Sequence, residues 1–140
     1  MNKAENRLPA NIRSKSIRYS NEFGWKEDDF IEVVNAARDI PMAIIGGQVM
    51  YMLPDGVCEL YWLSYDTEDR KLTEDWLTYC NRTANECIER FTALVVSTDI
   101  NAAALENFTF LEEKRKAGVN IEMYKTFVLY FDDTELMKDF

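Results

Sequence analysis

Hydrophobic and polar positions follow three different rhythms along this chain, and each change of rhythm marks an element. Residues 26–38 keep a helical period. Phe30, Val33, Val34 and Ala37 fall on one stripe, with Glu27, Asp28, Asp29 and Glu32 around the other side. The acidic first turn complements the positive end of a helix dipole, Trp25 is placed to pack on Phe30, and Pro41 stops the helix. Residues 46–66, GGQVMYMLPDGVCELYWLSYD, read instead as a β-hairpin. Pro54 supplies the fixed φ of a type I turn, and Gly56 the left-handed position after it. That turn sets Leu53 opposite Val57, Tyr51 opposite Glu59, Val49 opposite Tyr61 and Ile45 opposite Tyr65 on one face. The other face pairs Met52 with Cys58, Met50 with Leu60, Gln48 with Trp62 and Ile44 with Asp66. Gly46 and Gly47 predict a bulge or a close backbone approach.

After a charged stretch at residues 67–72, Thr73 suits a helix N-cap. Leu77, Cys80, Ala84, Cys87, Ile88 and Phe91 then recur at helical spacing through about Arg90. The apolar run at 92–97, TALVVS, predicts a short buried strand. A helical region over 102–117, capped by Asp99 or Asn101 and broken near Asn107, ends at Gly118. Residues 123–131 give a last strand, and 134–140 a short helix or tail. Residues 1–20 are polar and basic without a sustained period, so they are expected as an arm before a single domain at 21–140. This order predicts an α+β domain, with an about four-stranded mixed or antiparallel sheet and about three helices.

Composition narrows the chemistry. Apolar residues make up 47% and charged residues 29% of the 140, the balance of a soluble globular domain. No apolar run reaches the ~20 residues of a membrane span, and no secretory signal opens the chain, so a cytoplasmic location is expected. Histidine is absent, which removes imidazole bases, Ser-His and Cys-His pairs and every His-containing metal site. Cys80 and Cys87 sit seven positions apart on one helix, about 10.5 Å along its axis and too far to bridge. Cys58 could pair with one of them, leaving an odd thiol; three reduced, mostly buried thiols are expected. Gly46-Gly47 lacks the pattern of a phosphate loop, the QxxGxA loop of small acetyltransferases is missing, and no acidic cluster has the spacing of a calcium loop. Neither catalysis, a cofactor nor a metal is expected.

Charge points to a partner. Five basic side chains against Glu5 alone give residues 1–20 a charge of +4, so the remainder of a chain at −9 carries −13. Such a body repels nucleic acid and anionic membrane and favours a basic protein. Tyr61, Trp62 and Tyr65 stand beside Asp66, Glu68, Asp69, Glu74 and Asp75, a mixture of anchors and carboxylates typical of interfaces. The hairpin face with the Met, Cys and Leu pairs is expected in the core. The face with Tyr51, Glu59, Tyr61 and Tyr65 is expected to stay partly exposed near Glu59. With Asp66, Glu68 and Asp69 it forms the predicted binding surface, and the acidic start of the first helix is the next candidate.

The segments GWKEDDFIEVV, IIGGQVMYMLPDGVCELYWLSYD, WLTYCNRTANECIERF and VNIEMYKTFVLYF also resemble an immunity-protein family of bacterial polymorphic toxin systems, the immunity protein 40 family. The resemblance covers about residues 22–132 and rests on hydrophobic and turn motifs. It implies a small cytoplasmic protein that binds and blocks a cognate toxin domain stoichiometrically, with no catalytic residues to transfer. A basic, nuclease-type toxin suits the acidic body. The alternatives are a small regulatory binding module and a histidine-free, acyltransferase-like enzyme.

Overall fold

A computed structural model describes residues 4–136. A 3-10 turn (Ala4–Arg7) and a short helix α1 (Ala10–Arg13) lead into two strands, β1 (Ile17–Tyr19) and β2 (Glu22–Trp25). Helix α2 (Glu27–Asp39) follows, then β3 (Ala43–Gly46), β4 (Gln48–Leu53) and β5 (Gly56–Ser64). Helices α3 (Trp76–Ser97), α4 (Ile100–Asn107) and α5 (Thr109–Lys116) come next. A second 3-10 turn (Ile121–Tyr124) precedes β6 (Lys125–Val128) and β7 (Tyr130–Asp132). The fold is α+β. Its main sheet is antiparallel with strand order β1-β2-β6-β4-β5, and β3 and β7 form a second antiparallel pair. No helix among the described residues is long and apolar enough to cross a membrane.

The strands outnumber those predicted because β1 and β2 were not expected and because two of the expected strands are broken, which splits off the β3–β7 pair. Gly47 separates β3 from β4, and Leu129 separates β6 from β7. At this corner the backbones nearly touch: a Cβ on Gly47 would lie 1.8 Å from the Val128 carbonyl oxygen. Gly46 beside it has φ +138°, a conformation that side-chain-bearing residues rarely adopt. The paired glycines thus provide the close approach that their position predicted.

Residues 4–19 are no separate arm, contrary to the expected boundary at residue 20. Leu8 and Ile12 are buried in the main core, and the indole N–H of Trp25 donates to the Ile12 carbonyl at 3.1 Å. One buried cluster runs from Leu8 to Phe131. Polar composition hid this, since two apolar residues in short irregular elements make no period.

Helix α2 buries the predicted stripe of Phe30, Val33, Val34 and Ala37. The core centres on aromatic rings: Phe30 stacks on Phe91 with centroids 3.8 Å apart, while Tyr65 and Phe127 meet Phe30 edge-on. Trp25, Val49, Tyr51, Leu53, Cys58, Leu60 and Phe127 face this cluster. On the opposite face of the sheet Met50, Met52 and Val128 are buried together, with Ile17 of β1 packed against them. Strand β4 is therefore covered on both faces by the chain itself, whereas Val57, Glu59 and Tyr61 on the outer face of β5 stay exposed.

The TALVVS run is not a strand. It is the last part of α3, a helix of 22 residues. No Gly or Pro interrupts the sequence between Asp75 and Gly118, and each added helical residue gains a backbone hydrogen bond once a helix is nucleated. Leu94 and Val95 pack on the core while Val96 is 82% exposed, a helical rather than an alternating division. The cap of α3 is Asp75, whose carboxylate accepts from the Thr78 N–H at 2.8 Å, two positions beyond the predicted Thr73. Leu77 correspondingly turns outward at 59% exposure, and Tyr79 and Thr83 join Cys80, Ala84, Cys87 and Phe91 on the buried side. The break near Asn107, the Asp99 cap and the left-handed Gly118 stand as predicted. Of the expected terminal helix or tail, residues 137–140 lie outside the described residues.

Candidate functional site

The hairpin register decides which side chains reach the surface. Pro54 and Asp55 alone form the loop, and Gly56 does not take a positive φ. The loop is one residue shorter than predicted, so Tyr51 pairs with Cys58, Met50 with Glu59 and Val49 with Leu60. A one-residue slip exchanges the faces of one strand relative to the other. Tyr51 consequently joins Val49, Leu53, Cys58 and Leu60 in the core, and Glu59 shares the outer face with Met50 and Met52.

The pairing then jumps from Val49↔Leu60 to Gln48↔Ser64. Residues 61–63 have no partners of their own and bulge from β5. Only Leu63 turns inward. Tyr61 is 73% exposed and Trp62 43% exposed. Their rings meet edge-on with centroids 5.3 Å apart, and Trp62 stacks on Phe108 between α4 and α5 at 6.2 Å. Burial on one side fixes Trp62, and the open bulge leaves the edges of both rings to solvent. The predicted register had turned Trp62 toward the core, so its exposure was legible only once the bulge was known.

Two of the predicted surface tyrosines are internal. Tyr51 is fully buried, and its hydroxyl donates to the Asn101 side-chain carbonyl at the start of α4. Tyr65 is fully buried at the sheet corner. Its hydroxyl donates to the Val128 carbonyl at 2.5 Å, with the Gln48 carbonyl at 3.2 Å. Burial pushes both phenols up, away from ionisation. Neither ring is available to a partner.

The acidic loop after β5 is more tied down than its composition suggests. Asp66 accepts from the Gly47 N–H at 3.1 Å and Thr67 donates to the Ile44 carbonyl at 2.7 Å, fastening the loop to β3. Arg82 of α3 binds Glu74 at 2.5 Å and Glu86 at 2.9 Å, and its remaining N–H groups reach the carbonyls of Glu68 and Asp69 at 3.2 and 3.1 Å. A hydrogen bond from that guanidinium brings the Glu74 carboxyl down to about 2. Arg90 donates to the Asp66 carbonyl and reaches the Glu68 carboxylate at 3.3 Å. Two arginines on one face of α3 thus hold the loop, and Glu68 and Asp69 remain exposed on it. The acidic start of α2 is partly neutralised, with Lys15 at 2.7 Å from Glu32 and 3.9 Å from Asp29.

No family model, curated protein or solved structure matches this chain. Burial raises Cys80 to about 11 and Cys87 to about 12, and Cys58 also shifts upward, which keeps all three thiols protonated at neutral pH. Among the described residues, no three cysteine or carboxylate side chains converge as metal ligands. On the outer face a polar chain links Glu22 to the Tyr130 hydroxyl at 2.9 Å, Gln48 to that hydroxyl at 3.1 Å, and Gln48 to Glu59 at 2.8 Å. Burial lifts Tyr130 to about 12, so it serves as a neutral hydrogen-bonding group. Glu59 is oriented by this chain beside the bulge.

Proposed function

We propose that this protein acts by binding another protein, as an immunity protein that neutralises a basic, nuclease-type toxin domain in the cytoplasm by stoichiometric contact. The observation that carries this reading is the bulge at residues 61–63, which exposes the two large aromatic rings of Tyr61 and Trp62 side by side. Aromatic anchors held rigidly and ringed by charge supply most of the energy at protein interfaces. Glu59 lies two positions before Tyr61 on the same strand, Glu68 and Asp69 are exposed on the loop that follows, and the whole chain carries −9. Such a field accelerates encounter with a cationic domain. The sequence resemblance to immunity proteins points the same way.

Co-expression with the open reading frame directly upstream of this gene tests the reading. A stable complex and restored growth are expected where that frame encodes a growth-arresting domain. Growth arrest that persists at matched expression, with no co-purified complex, would remove the proposal.

A further inference from the structure

The hairpin leaves the main sheet with one long free edge. β5 is its outermost strand and is nine residues long. A two-residue loop makes Leu53 and Gly56 a hydrogen-bonded pair, and antiparallel pairs alternate from there. Cys58 and Leu60 therefore direct their N–H and C=O groups at β4, whereas Val57 and Glu59 direct theirs away from the sheet. Among the described residues, no other segment and no side chain bonds to the backbone of Val57 or Glu59. The opposite edge is blunted: β1 has three residues, and the Arg18 guanidinium on it lies 4.6 Å from the Phe23 ring centroid. Sheets usually protect an edge with a short strand, a bulge or an inward charge. β5 is regular from Gly56 to Leu60, its bulge begins only afterwards, and Val57 and Glu59 are both exposed.

We propose that this edge receives an extended, cationic segment of the partner protein, which pairs with residues 57–59 and adds a sixth strand to the sheet. The inference rests on the protein-binding reading above and adds main-chain pairing to it. Charge selects the occupant. Glu59 lies between Val57 and Tyr61 on one face, so a strand alternating apolar, basic, apolar meets matching groups. Its carboxylate is oriented by Gln48 through Oε1, and among the described residues no hydrogen bond reaches Oε2. A second copy of the chain fits worse. Both copies carry −9, and their Glu59 carboxylates would be brought onto one short shared ribbon.

Amide hydrogen exchange followed by NMR on the full chain tests this with two short synthetic peptides. One alternates valine, lysine and valine with threonine; its twin has glutamate in place of lysine. In the free protein the amides of Val57 and Glu59 should exchange fast, and those of Cys58 and Leu60 slowly. The lysine peptide at millimolar concentration should slow Val57 and Glu59, while the glutamate peptide leaves them fast. Val57→Pro removes one outward N–H and leaves the β4 ladder intact. It should weaken the lysine peptide about tenfold, against less than about threefold for Val57→Ala. Unprotected amides with the lysine peptide, equal protection by both peptides, or full affinity in a folded Val57→Pro variant would each overturn the strand. So would protected amides in a free protein that sediments as a dimer. The two readings fail separately. If the strand fails while Tyr61→Ala still releases the co-expressed partner, the aromatic surface stands without it.

Discussion

Replacing Tyr65 with Phe separates the structural role of this residue from the surface role that its sequence position suggested. The ring stays, so no large cavity opens and the packing on Phe30, Phe91 and Phe127 is kept. Only the hydroxyl goes, together with its 2.5 Å bond to the Val128 carbonyl and its 3.2 Å approach to the Gln48 carbonyl. The site is fully buried, so water does not replace the lost donor. Leaving a buried carbonyl without its donor costs about 1–3 kcal/mol, and about 2 kcal/mol is expected here. For a chain of this length each kcal/mol lowers Tm by about 3 °C, so thermal unfolding by circular dichroism should fall by about 6 °C. Binding by the folded fraction should be unchanged. An unaltered Tm together with weakened binding would refute this reasoning and return Tyr65 to the contact surface.

Gly47→Ala should cost more than about 3 kcal/mol, because its Cβ would lie 1.8 Å from the Val128 oxygen; a soluble variant with a parental urea midpoint would contradict that geometry. Cys80→Ala or Cys87→Ala should each lose roughly 1–2 kcal/mol, and neither thiol should react with a disulfide reagent in the native state at neutral pH, as their burial requires. Glu74, brought down from 4.5 to about 2 by Arg82, contributes stability that is complete above about pH 4.5 and is lost as pH falls toward 2. Tm measured across this window should decline in the parent, and Arg82→Gln should show a shallower decline; parallel curves would count against the pair.

The helical stripes were legible because they are long and periodic. Phe30, Val33, Val34 and Ala37 repeat over about two turns, and no competing register buries them as well. The hairpin was legible as a hairpin, but its faces were not. Loop length alone sets the pairing, and Pro54-Asp55-Gly56 is compatible with a two-residue or a three-residue loop. One residue moved Tyr51 inside and turned Met50 and Met52 to the outer face, where Glu59 stays exposed as expected. The bulge at 61–63 left no sign in its own residues, since Tyr61-Trp62-Leu63 reads as ordinary strand, and Gly46-Gly47 signalled only that a bulge or close approach lay nearby. Tertiary contact with Phe108 and the covering of Leu63 maintain it. The arginines that hold the acidic loop were hidden for a related reason. Arg82 and Arg90 are 13 and 24 positions from the Asp69 and Asp66 carbonyls they bind, and charge counting assigned them no partners.

The central claim is that Tyr61 and Trp62 are exposed in order to bind. Calorimetric titration of the co-expressed partner domain into parent and Tyr61→Ala/Trp62→Ala double variant tests it directly. Both rings are partly solvent-exposed, so the variant should fold, with a spectrum like the parent's. The affinity should fall at least about thirtyfold, the equivalent of about 2 kcal/mol. Equal affinity in parent and folded double variant would contradict the account.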